Sequence, residues 1–170
     1  MKRIALMLCV AAFACGGPAR ADQAVLLSKA NVLPLALDEA FKFRKTEMFL
    51  NDPKQFRPTV NPMILFERRR KNFKAVSEID KRQRMGHYFT FFWRADREAG
   101  ITVRLEYRQE NLGAYVQARE ISYPNARGSM TTRFEIVGDD YKDDGRISAW
   151  RALLIEGGKI VALTQSQLWN

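Results

Sequence analysis

Histidine and cysteine are nearly missing from this chain. His87 is the one histidine, and both cysteines, Cys9 and Cys15, fall in the first 15 residues. Residues 22–170 therefore cannot form a multi-histidine metal site or a Cys–His nucleophilic pair. A Ser–His–Asp triad would have to bring His87 to Ser122, Ser129 or Ser148, and no Gly-x-Ser-x-Gly elbow presents a serine. His87 reads instead as a polar residue at a strand start. Without cysteines beyond Cys15 no disulfide can brace the body, which must stand on its hydrophobic core.

Other absences narrow the fold. There is no Gly-rich βαβ unit, no heptad and no internal repeat, which excludes a dinucleotide-binding fold, a coiled coil and a solenoid. Beyond Ala14 no apolar run approaches the roughly 20 residues that a membrane-spanning helix needs. No nucleic-acid reading motif is present, and no nucleic-acid partner is expected.

What is present begins with an export leader. Lys2 and Arg3 precede an apolar stretch, Ile4 to Ala14, and Ala19-Arg20-Ala21 is the small-x-small pattern that signal peptidase reads. Residues 1–21 are thus expected to be a signal peptide, giving a periplasmic or extracellular protein that starts at Asp22. The alternative is lipoprotein processing at Cys15, which follows a small residue but lacks a leucine three positions before it. Only acylation of Cys15 would then tether the protein to a membrane.

Removing Lys2, Arg3 and Arg20 turns 28 basic residues into 25 against 19 acidic, a net +6 for the remaining 149 residues. That balance favours anionic surfaces and acidic proteins, and the length suits one domain.

Residues 22–58 read as an N-terminal arm, partly helical or irregular. "LALDEAFKFRKTEMFLND" spaces Leu37, Phe41 and Met48 near a helical period, although Phe41 and Phe43 alternate as in a strand. Residues 59–170 read as β, starting at "MILFER" and running through the basic stretch Arg68–Arg84. Four later segments, "AYVQAREISY", "MTTRFEIV", "RISAWRALLI" and "KIVALTQSQLW", are rich in β-branched and aromatic residues. The turn signals "NLG", "PNARG", "GDDYKDDG" and "EGG" separate them. Both faces of "SAWRALLI" are largely apolar, as suits a strand covered on both sides. The expected fold is all-β: an antiparallel sandwich of about seven strands, with a small up-and-down barrel as alternative. It resembles immunoglobulin-like and fibronectin-type sandwiches in architecture only, a likeness that fixes no function.

Gly86–Gln109 holds six aromatic residues and four arginines. It reads as a β-hairpin closed by "DREAG", with Gly100 at positive φ. Phe89, Phe91, Trp93 and Ala95 share one face, as do Ile101, Val103, Leu105 and Tyr107. Pairing Asp96 with Gly100 sets Trp93 against Val103, and on the outer face sets Tyr88 against Arg108 and Phe92 against Arg104.

Tyr88, Phe92, Arg94, Arg104 and Arg108, with the basic stretch, are accordingly the candidate binding residues of a non-enzymatic envelope module. Its partner would be a protein or an anionic surface polymer, and the reading requires these side chains to form one exposed patch. The alternative is an envelope enzyme or carrier for a small or saccharide ligand. That reading needs a concave site between sheet and arm with at least two convergent carboxylates or similar groups. Asp139, Asp140, Asp143 and Asp144 are the only candidate metal ligands. Lys142 and Arg151 stand where a calcium loop from Asp140 needs oxygen donors, so a solvated turn is read there. No catalytic residue and no cofactor is expected.

Overall fold

A computed structural model describes residues 23–28 and 30–169. The expected signal peptide, its expected cleavage point and Cys15 lie outside the described residues. Two long strands organise everything else: β3 (Gly86–Gln109) and β4 (Val116–Val137), of 24 and 22 residues. They run antiparallel from Gly86↔Val137 to Arg108↔Val116, joined by residues 110–115, a short 3-10 turn (Glu110–Leu112) followed by Gly113 at φ 59°. Midway the register slips between Ala95 and Ile101. Such irregularities bend and twist a ribbon, and here they divide it into two halves.

Each half recruits different neighbours. The first half of β3 pairs with β2 (Phe41–Asn51) through Phe41↔Ala95 to Asn51↔Gly86. The second half pairs with β5 (Ile147–Glu156), which pairs with β6 (Lys159–Gln165). The short β1 (Val25–Leu27) lies beside β4. One antiparallel sheet of six strands results, in the order β1-β4-β3-β5-β6, with β2 also on β3. A strap of residues 34–38 hydrogen-bonds to β6 before entering β2, through Ile160 N to Pro34 O at 2.9 Å and Asp38 N to Val161 O at 3.0 Å. It covers the β6 edge, the exposed feature through which sheets aggregate.

The bent sheet encloses its core. Phe89, Phe91, Trp93, Ala95, Ile101, Val103, Leu105 and Tyr107 are all buried in one cluster with Phe134, Ile136 and Leu154. Polar groups within it pair with one another: Trp93 Nε1 donates to Thr132 Oγ1 at 2.9 Å, and Tyr123 Oη lies 2.8 Å from the same oxygen. On the opposite face of β5, Leu153 and Ile155 pack with Ile160 and Leu33, so this strand is covered on both sides as its composition indicates.

The all-β antiparallel class matches the expectation, and three local readings need correction. Gly86–Gln109 is one strand and not a hairpin: Trp93 faces Met130, Val103 faces Ile121, and Gly100 is not among the residues at positive φ. "PNARG" likewise lies inside β4. Both apparent turns are the bend, where small and polar residues let the two strands fold over the core together. The arm expected to be partly helical supplies β1 and β2 instead.

The third correction concerns the basic stretch. "MILFER" and the basic residues after it are helical: α1 (Pro62–Lys71) and α2 (Glu78–Gln83). Asn61 Oδ1 accepts from Met63 N at 3.0 Å with Pro62 in the first turn. Ser77 and Asp80 close a reciprocal capping box at 3.0 Å each way. Placing Arg68 to Lys71 in the last turn of α1 also suits the negative end of the helix dipole.

Candidate functional site

The expected binding patch is not one patch. Tyr88 is buried, its ring 3.6 Å from Lys71 Nζ and its hydroxyl donating to Arg84 O at 2.9 Å. Burial, with Glu135 nearby, pushes its pKa up to about 12. Phe92 is half-buried, 5.9 Å from Lys45 Nζ. Arg94 is exposed and paired with Asp96. These three lie on the β3 half that pairs with β2. Arg104 and Arg108 lie on the other half, so the Tyr88–Arg108 and Phe92–Arg104 pairs of the hairpin reading do not form. A chain that bends without reversing carries them apart.

Arg104 is 7% exposed. Its Nε lies 2.6 Å from Glu120, and its Nη1 donates to Asn31 O at 2.9 Å and sits 3.5 Å from Glu106. Arg108 and Arg151 stand 4.8 and 5.0 Å from the Trp169 ring. Together with residues 30–32 of the arm they border a cleft of about 600 Å³. The concavity between sheet and arm that the enzyme or carrier reading needs is therefore present. Among the described residues its lining offers one carboxylate, Glu106, already held by Arg151 at 2.5 Å. Buried charges of this kind need their partners to stay buried, and here they have them.

The acidic cluster forms α3 (Asp139–Asp144) rather than an open turn. Asp139 lies 2.6 Å from Arg82, Asp140 is paired with Arg119, and Asp144 accepts from Gln117 at 2.9 Å. These carboxylates face guanidinium and amide groups instead of one another. Among the described residues no three His, Cys, Asp or Glu side chains converge as metal ligands. His87 is not a surface residue. It is 2% exposed, with Nε2 accepting from Ile147 N at 3.2 Å and the ring 5.7 Å from that of Tyr141. Burial, and secondarily Arg146, lower its pKa to about 4.

The basic stretch that the sequence singles out belongs to a longer helical excursion between β2 and β3, which a strand reading does not show. Residues 53–85 hold ten basic and three acidic residues, a net +7. The rest of residues 22–170 holds fifteen basic and sixteen acidic, a net −1. The net positive charge of residues 22–170 is thus wholly in this segment. Its base is anchored: the Asn51 and Asn72 amides exchange hydrogen bonds at 3.1 and 3.0 Å, Asn51 Nδ2 donates to Arg84 O at 2.7 Å, and Gly138 N donates to Met85 O at 2.9 Å.

Further out the segment is open to water. Arg68 stacks on Phe56 at 4.0 Å and donates to Arg57 O at 3.0 Å, and Arg70 pairs with Glu67 at 2.7 Å. Lys54, Arg57, Arg69 and Lys74 are exposed. So are large apolar side chains: Val60 at 94%, Met63 at 70%, Phe66 at 59% and Phe73 at 66%. Comparison of the chain with known protein families, curated proteins and solved structures finds no match.

Proposed function

We propose that this is an exported, non-enzymatic interaction module whose binding face is the helical excursion between β2 and β3, and whose partner is anionic. One observation carries the reading: residues 53–85 hold a net +7 while the rest of residues 22–170 holds −1. A charge confined to one face concentrates the positive potential there and steers an anionic partner to it, which the same charge spread evenly would not do. Export rests on the ordered basic, apolar and small-x-small segments of residues 1–21. Of Tyr88, Phe92, Arg94, Arg104 and Arg108, only Tyr88 contributes, by supporting Lys71 from beneath.

Binding to dextran sulfate, with neutral dextran as control, tests this. Neutralising four exposed cations as Lys54→Gln, Arg57→Gln, Arg69→Gln and Lys74→Gln is expected to weaken binding at least about tenfold at low salt, with the effect shrinking as salt screens the field. Neutralising Arg44, Lys45, Arg127 and Lys159 removes as much charge from other exposed sites and is expected to change little. Equal losses from the two sets would mean that net charge alone matters, and the reading would fail.

A further inference from the structure

Resting on that reading, we propose that the anionic partner is a lipid bilayer surface, and that the excursion docks on it with the N-terminal end of α1 leading. The charge is only half of what the excursion presents. Of sixteen exposed large apolar side chains among the described residues, seven lie within it: Val60, Met63, Ile64, Phe66, Phe73, Val76 and Ile79. A soluble polyanion or a nucleic-acid backbone needs the cations and has no use for these side chains. Anionic lipid takes both, with phosphates for the basic groups and acyl boundary for the apolar ones.

The order of residues along α1 sets the orientation. Met63, Ile64, Leu65 and Phe66 occupy its first turns, and Arg68, Arg69, Arg70 and Lys71 its last. A helix lying flat in an interface separates its polar and apolar residues around the axis. This one separates them along the axis. From Phe66 to Arg70 the helix rises about 6 Å, close to the roughly 5–10 Å by which apolar side chains enter the headgroup boundary. With Phe66 in the boundary, Arg69 and Arg70 stand at phosphate depth. Met63, Leu65, Phe66 and Arg69 border one concavity of about 430 Å³, so apolar end and cation adjoin.

Two other occupants fit less well. A second copy of the chain would bring one +7 segment against another, which repels. Insertion across the bilayer is not available to this segment, because no helix among the described residues is long and apolar enough to span one.

Co-sedimentation of the purified protein with vesicles distinguishes the outcomes. Vesicles of phosphatidylcholine with about one-third phosphatidylglycerol are compared with phosphatidylcholine alone, and dextran sulfate binding is measured beside them. The expected result is binding to the anionic vesicles only. It should weaken at least about tenfold in Met63→Ser with Phe66→Ser, while dextran sulfate binding by that variant is unchanged. Both substitutions are at exposed positions, and a thermal melt verifies that the fold is kept. Dextran sulfate binding without vesicle binding would overturn the lipid proposal and leave the anion-binding face standing. Vesicle binding indifferent to the two serines would overturn the leading-end geometry. Failure to bind either probe would remove both readings.

Discussion

At the scale of single residues, His87 shows how far a side chain's identity understates its setting. Its odd number places it on the same face of β3 as Phe89 and Phe91, and that face is core. Buried neutral, it has a folded pKa near 4 against an ordinary 6.5. Between those values the unfolded chain binds more protons than the folded one, so stability rises with pH across this window. Full stability is present above about pH 6.5, and about 3 kcal/mol is lost by pH 4. Asp38, held low by the Ala40 N–H and Arg97, and Glu156, held low by Arg97, act in the same direction but only at more acid pH. Denaturant midpoints of His87→Gln, whose amide oxygen can still accept from Ile147 N, should be nearly flat from pH 6.5 to about 5. An unchanged pH profile would show that His87 does not carry the effect. Arg104 teaches the same lesson from the other face. Alternation points it away from the core correctly, yet no local pattern shows that the arm then passes over it and accepts its Nη1 through Asn31 O.

At the scale of elements, the hairpin reading of Gly86–Gln109 fails for a definite physical reason. A hairpin and a continuous bent strand put the same odd-numbered residues inward, because side chains alternate strictly with position in either. The core face was therefore legible from alternation, and the connectivity was not. A bend at "DREAG" and a turn at "DREAG" use the same small, polar residues. Cross-linking separates them. Thr102 and Ser122 are directly opposed on β3 and β4, their hydroxyls hydrogen-bonded at 3.1 Å, and opposed antiparallel residues lie about 4.5–5.5 Å apart at Cα, within the span of a disulfide. Residues 22–170 contain no other cysteine to compete. Thr102→Cys with Ser122→Cys should therefore oxidise readily, whereas Arg94→Cys with Thr102→Cys, opposite one another in the hairpin register, should stay reduced. Oxidation of the second pair would restore the hairpin. The helices are a different kind of miss. "NP" before "MILF" and "SEID" are helix-start signals, and they stand beside clustered β-rich segments whose pattern favours strand. In a strand the contiguous arginines would point alternately to both faces and need partners on each. On α1 they fan around a helix end and become a surface.

At the scale of the whole molecule, the excursion is separable from the sheet that carries it. Asn51 and Gly86 are directly paired, so β2 and β3 already stand at hairpin distance where the excursion begins and ends. Replacing residues 53–85 by a single glycine leaves Asp52-Gly as a two-residue loop between them, the sequence that a tight hairpin turn favours. The sheet keeps its main core cluster, none of whose members lies in the excursion. It loses the Asn72 and Arg84 partners of Asn51 and the Lys71 cover of Tyr88, so a lower melting temperature is expected from the polar and aromatic surface uncovered. Taking a net +7 out of residues 22–170 leaves −1. The shortened protein should therefore pass through a cation exchanger that retains the parent, and bind neither dextran sulfate nor anionic vesicles. A shortened protein that folds and still binds would place the anion site on the sheet, at Arg108 and Arg151 beside Trp169, where guanidinium groups border the remaining cleft. A shortened protein that cannot fold would show that the sheet depends on the excursion as more than a ligand platform. The two tests of function would then rest on the point variants alone, whose substitutions touch only exposed side chains.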